Sequence, residues 1–214
     1  NPQKRNAMKI ALTCMCSLLL TFCAMSQNTE MKLPAPQKTG GMPLMEALSK
    51  RATNRSLDPA RSLSDQQLSN LLWAAWGINR PDGRRTAASA MNRQEIDLYL
   101  VGRKAAYLYD AKEHSLKLVA EGDHRSEVSS QDFAKNGDWI VIFAADYDKM
   151  GGGNEAIAGI DAGLIAQNIY LYGASEGLGV VVHASVDRDT ISKVLKLRPA
   201  QHIMIAQTVG IPTR

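Results

Sequence analysis

The sequence predicts a single α+β domain, a layered and mostly antiparallel sheet flanked by helices. Three observations predict it. Helical and strand-type apolar periodicities both occur along the chain, with helices preceding and interleaving with strands. At 214 residues there is material for one core or at most two small ones, and no repeat or low-complexity tract divides it. Hydrophobic residues make up 45% and charged residues 21%, a globular balance that excludes disordered, collagenous and coiled-coil chains.

Residues 1–26 read as upstream sequence plus a secretory signal. Lys4, Arg5 and Lys9 precede an uncharged apolar run over residues 10–24, which ends in Ala24-Met25-Ser26. That run is shorter than the ~20 residues a helix needs to cross a bilayer. Met8-Lys9-Ile10 reads as its start, and Cys23 is an alternative lipid-attachment site, with bulky Phe22 before it. The expected location is therefore exported, in the periplasm. All three cysteines lie in this segment. Removing its three basic residues leaves 22 Lys and Arg against 21 Asp and Glu, a charge of +1. No apolar stretch in the remaining chain suits a transmembrane span.

Residues 27–41, with Pro34, Pro36 and Gly40-Gly41, read as an extended N-terminal arm, and residues 42–214 as the folded domain. Pro43 opens a short helix through Lys50. Ser64-Asp65-Gln66-Gln67 is a capping box, followed by Leu68, Leu71, Leu72 and Ala75 on one helical face and by Gly77 as the stop. Residues 78–93 lose periodicity. Residues 96–101 alternate as a strand, and 105–109 with 116–119 form a hairpin around residues 112–114. A short helix is expected over 129–134 and a buried strand over 139–145. Gly151-Gly152-Gly153 is a break before a long helix over 155–175, with Ile157, Ile160, Leu164, Ile165 and Ile169 on or near one face. Val180-Val181-Val182 is expected as a central strand, Asp187 as the cap of a helix through Leu195, and 202–209 as the closing strand.

No metal site is evident, because His114, His124, His183 and His202 are scattered without a second ligand at helical spacing. There is no nucleophile elbow, no Walker sequence and no G-x-G-x-x-G spacing. What stands out is local charge. Between Lys50 and Arg93, eight basic residues face only Asp58, Asp65 and Asp82, a local +5. Two clusters carry it: Lys50-Arg51-Ala52-Thr53-Asn54-Arg55-Ser56, and Arg84-Arg85-Thr86-Ala87-Ala88-Ser89. Arginine forks beside hydroxyls suit a phosphate, since each fork offers two charge-assisted hydrogen bonds to adjacent oxygens. A nucleic-acid surface is the weakest reading, because the near-neutral chain lacks a broad basic face with stacking aromatics.

Four segments, in order, resemble the flavin-dependent nitroreductase family. KRATNRSLD (50–58) is similar to its R-x-[ST]-x-[RK] opening, and GRRTAASAMNRQEIDLYLV (83–101) to its second loop and strand. IDAGLIAQNIYLYGASEGLGVVV (160–182) is similar to its helix and strand, and VGIP (209–212) to its closing strand. The compact branch with SagB-type dehydrogenases is the nearest in appearance. Four positions depart from the pattern: Ala88 stands for the usual Pro, Glu95 for a second Pro, and Ala184-Ser185 for Glu-Gly.

The resemblance implies an FMN enzyme, a homodimer with flavin at the subunit interface. It implies ping-pong hydride transfer from NAD(P)H to a small organic acceptor, with the flavin rather than a side chain carrying the hydride. By position, Arg51, Thr53 and Arg55 would hold the phosphate and ribityl chain, and Ser89, Ala90 and Asn92 would line the flavin. Val182, His183, Ala184 and Ser185 would run beside the ring, a backbone N–H meeting N5, and Arg214 would lie near the phosphate. The alternative is a non-catalytic protein binding flavin or another planar ligand on the same fold.

Overall fold

The computed structural model describes residues 29–213, so the signal segment with Cys23, and Arg214, lie outside the described residues. Seven strands form one sheet: β1 (Glu30–Lys32), β2 (Ile96–Val101), β3 (Ala105–Asp110), β4 (Ser115–Glu121), β5 (Trp139–Asp146), β6 (Gly179–His183) and β7 (Gln201–Gly210). Their order is β1-β4-β3-β2-β5-β7-β6, and every pairing is antiparallel. Strand β5 explains the two-layered core. Its near-continuous apolar run turns Val141, Phe143 and Ala145 to one face and Ile140, Ile142 and Ala144 to the other, so both faces must be covered.

On the first face lie α2 (Asp65–Trp76) and α6 (Glu155–Glu176), with α1 (Leu44–Lys50) packed against α6; on the second lie the short α3 (Arg125–Val128), α4 (Asp132–Asn136) and α7 (Arg188–Val194), while α5 (Tyr147–Met150) follows β5 directly. The capping box is formed as its sequence dictates. Ser64 Oγ accepts from the Gln67 N–H at 3.2 Å, and the Gln67 side chain accepts from the Ser64 N–H at 3.0 Å. Leu68, Leu71, Leu72 and Ala75 of α2 are all buried. The arm joins the fold: Thr29 O accepts from Leu118 N at 2.8 Å, Pro34 O from Ser69 Oγ at 2.6 Å, and Asn70 Oδ1 from Gln37 N at 2.8 Å.

Three expectations are corrected. Residues 129–134 are not one helix, since Ser129 is extended between the single turns of α3 and α4. Strand β6 is an edge strand, and β7 takes the place inside it. Its apolar run is satisfied all the same, because both faces are covered and the segment around Asn54 shields the free edge. On α6, Ile165 and Ile169 are buried, but Ile160 and Leu164 are 63% and 44% exposed. At 100° per residue, Ile160 and Leu164 share a face that Ile165 does not. Helix α6 therefore has two apolar faces, and one remains outside.

Candidate active site at the free edge of strand β6

Helix α1 ends at Arg51, where the backbone turns extended and the Arg51 N–H still donates to Ala47 O at 2.9 Å. The chain then runs beside β6, and Asn54 N donates to Val180 O at 2.9 Å. One hydroxyl ties these parts together. Tyr170 Oη accepts from the Val182 N–H at 2.9 Å and lies 2.9 Å from Thr53 Oγ1. The Tyr170–Thr53 bond can run either way; with Tyr170 as its donor, the exposed Thr53 hydroxyl is left to donate outward.

The two arginines rest on aromatic rings. The Arg51 guanidinium sits 5.2 Å from the Tyr170 ring centre, and Arg55 sits 5.9 Å from Phe133. Neither is paired with a carboxylate among the described residues, so both forks stay available to an anion. Arg51 is half-buried, while Thr53 and Arg55 are exposed. A cleft of about 190 Å³ between this segment and α6 is too small for a planar cofactor, so one would have to lie on the open outer surface.

Beyond Val182 the free edge of β6 continues. Alternate residues turn their backbone groups outward: Val180 O and Val182 N are taken, and Ala184 is next. The Ala184 N–H has no acceptor among the described residues, and Ala184 and Ser185 are exposed. His183 points the other way. Its ring packs edge-on against Phe133 at 5.0 Å, Nδ1 lies 3.3 Å from Ser185 O and Nε2 3.1 Å from Thr208 Oγ1. Burial lowers its pKa, which favours the neutral imidazole. His183 thus turns its ring inward, and its backbone groups face β7 rather than this surface.

The second predicted segment lies elsewhere. Ala90 N donates to Asp161 Oδ2 at 2.8 Å, so that N–H is already spent inside the chain. Ser89 Oγ accepts from Gln94 N at 3.1 Å, and Asn92 Oδ1 from Gln94 Nε2 at 3.1 Å. Met91, Asn92 and Gln94 all have positive φ, at 53°, 55° and 51°. The adjoining basic cluster is structural, contrary to its reading as a phosphate site. Arg85 stacks 5.1 Å from Trp76 and donates to Trp76 O at 2.9 Å and Gln94 Oε1 at 2.8 Å, while Arg84 faces Asp82 at 3.5 Å. Burial lowers the Arg85 pKa. A lone Arg-Arg pair does not distinguish a brace from an anion clamp; the nearby Trp and Gln do.

Ala90 is anchored at Asp161 and Thr53 at Tyr170, nine residues apart on α6, which is roughly 13 Å along a helix at 1.5 Å per residue. One chain therefore does not bring the two segments to a common point. Tyr170, Asp161 and Glu95 were missed by sequence reasoning. Asp161 carried a usable signal, the one charged residue of its helix between the terminal Glu155 and Glu176; Tyr170 is indistinguishable from a packing residue. Among the described residues no cluster of metal-ligating side chains occurs, and no helix is long and apolar enough to cross a membrane.

This is the architecture of a nitroreductase-type α+β domain, with an arginine–hydroxyl surface beside an open sheet edge. The sequence model of the nitroreductase family matches residues 48–211, and the chain belongs to that family. It is 26% identical over 200 residues to a protein from Methanocaldococcus jannaschii that carries the nitroreductase name, covering 87% of this chain and 98% of that one. It superposes on a crystal structure of a nitroreductase-named protein from Ralstonia eutropha JMP134 with a TM-score of 0.82, at 35% identity, covering 89% of this chain and 93% of that one. A nitroreductase-named protein from Desulfovibrio desulfuricans, solved in complex with FMN, shares the fold with a TM-score of 0.58 at 20% identity, covering 82% and 89%.

Proposed function

We propose that this nitroreductase-family oxidoreductase uses FMN, in ping-pong hydride transfer from NAD(P)H to a small organic acceptor. The observation that carries this reading is the joining of two unpaired arginines and a free hydroxyl to an open strand edge ending in an unsatisfied N–H. These groups fit a phosphorylated planar cofactor: charge and hydroxyl donors for the phosphate end, and a backbone donor for the ring end. The FMN in the Desulfovibrio desulfuricans structure supports the choice.

Arg51 and Arg55 would bind the phosphate, with Arg51 pre-oriented by Tyr170. Thr53 would hold the ribityl chain through the proton that Tyr170 leaves free. The Ala184 N–H would meet N5 of the ring, and Ser185 would lie beside it. When bound, FMN supplies the redox chemistry. The side chains of this chain then orient, exclude water and offset charge on the reduced ring, with no general acid or base required.

Ser89 and Asn92 lie apart from this surface within one chain, so we place the flavin in a homodimer interface, where a second copy would bring them to the ring. The exposed apolar residues support that face: Leu44, Met45 and Leu48 on α1, Ile160 and Leu164 on α6, and Met91 on the loop are 44–83% exposed. We also propose that the protein is exported by its first 26 residues; a mass measurement of the mature N-terminus at Gln27 tests that.

Purified protein refolded with FMN is expected to turn yellow, to stabilise by about 2.7 kcal/mol at a hundredfold excess over Kd, and to bleach on anaerobic addition of NAD(P)H. No colour and no shift in melting temperature would remove the flavin reading. Colour without bleaching would favour a flavin-binding protein without turnover.

A further inference from the structure

Glu95 is fully buried, and neither of its carboxyl oxygens has a donor partner. An ionised carboxylate in that state would forgo both solvation and hydrogen bonds, which a protein interior does not sustain. The side chain within hydrogen-bonding reach is another carboxyl, Asp161 of α6, itself only 3% exposed. Two carboxyls so placed hold one proton between them. Asp161 Oδ2 already accepts from Ala90 N at 2.8 Å, an acceptor role that suits Glu95 as the partner that holds the proton and donates it.

The surrounding charges do not undo this. Arg93, on the same loop, acts on Glu95, but its guanidinium donates to Met150 O and lies 3.4 Å from Met91 Sδ. On β5 the neighbour is Asp146, whose N–H donates to Glu95 O at 3.0 Å. The Asp146 carboxylate is occupied by Arg198 at 2.5 Å and Lys149 at 4.0 Å. Helix α2 contributes only an indole, Trp76 Nε1, to the adjacent Ile96 O. Burial first, then Asp161, pushes the Glu95 carboxyl up to about 7.

The loop these groups hold is strained. Its three non-glycine residues with positive φ persist only where the surroundings over-determine them. We propose that Glu95 is a positioning residue: protonated, it donates to Asp161, and Asp161 fixes Ala90 and with it the 89–94 loop. Once Glu95 ionises, the two carboxylates repel and the loop loses its anchor. The anchor is argued from the burial of both carboxyls, the unpartnered Glu95 oxygens and the Ala90–Asp161 bond; only its effect on FMN rests on the proposed function, in which this loop walls the flavin of the partner copy.

The test uses the full chain before and after FMN addition. The infrared band of a protonated carboxyl is expected at pH 6, absent from Glu95→Gln and fading in the wild type as pH rises through 7. Its neutral fraction, and the Ala90 amide protection that follows it, should fall about tenfold per pH unit above the transition. Glu95→Gln, whose amide still donates to Asp161, should keep Ala90 protected across that range, whereas Glu95→Ala should not. FMN affinity should follow the same order. A missing band at pH 6, or equal pH dependence of Ala90 exchange in wild type and Glu95→Gln, overturns the proposal. If Ala90 behaves as expected but FMN never binds, the flavin reading fails and the carboxyl anchor stands.

Discussion

Tyr170 serves two partners with one oxygen, and that makes it the residue on which the site's local order depends. Its hydroxyl accepts the Val182 N–H and meets Thr53, while its ring carries Arg51. Tyr170→Phe strands the Val182 N–H and should cost about 1–3 kcal/mol of stability in a denaturant titration. FMN affinity should drop with it, because Thr53 loses its polarised partner. Arg55→Ala should act differently. It rests on Phe133 at the surface, so stability should change little, while FMN binding weakens by about 1.5–3 kcal/mol, roughly 10- to 150-fold in Kd by fluorescence titration. The two arginines and Thr53 were legible as a candidate group because a local +5, more than the +4 of the whole chain, asks for an anion. Arg85 was not, because its role depends on Trp76 and Gln94, which only folding brings alongside.

At the scale of elements, close approach does what periodicity cannot announce. Helix α6 touches β6 at Gly173, where an added Cβ would lie 2.5 Å from Val180 Cγ2. Gly173→Ala forces either Val180 or the helix that carries Tyr170 to shift, and should cost about 1–3 kcal/mol, with FMN retention reduced alongside. Ser64→Ala, by contrast, removes a cap remote from the site and should cost about 1 kcal/mol without altering flavin affinity. The helices and strands themselves were largely readable, since caps, glycine stops and period-2 runs are local signals. What went wrong is equally local in origin. A run of three valines suits a central strand, yet β6 is an edge strand protected by the segment after α1.

For the whole molecule, the proposed two-fold assembly would cover the exposed apolar faces of α1 and α6 and close the site that is split along α6. Ile160→Glu should give a folded monomer by light scattering that no longer retains FMN, whereas a soluble dimer with bound flavin would place the interface elsewhere. Stability should also carry the mark of Glu95. Its carboxyl rises from an ordinary 4.5 to about 7 on folding, so its contribution is full below about 4.5 and lost as pH rises through 7. Asp123 works in the opposite sense: the Arg125 guanidinium holds it below its ordinary 3.8, so its contribution is present above 3.8 and lost as pH falls further. Thermal unfolding of the wild type should therefore weaken from pH 6 to 8, and Glu95→Gln should flatten that slope. By itself the sequence determined the fold class, most element boundaries and the family, and it singled out the arginine–hydroxyl segment as a candidate, because these rest on periodicity, caps and residues adjacent in the chain. Tertiary structure alone decided that Tyr170 joins three segments, that Arg85 is a brace, that β6 lies at the edge of the sheet and that Glu95 is buried beside Asp161. Each of those depends on groups far apart in sequence whose burial and pairing exist only once the sheet and α6 have come together.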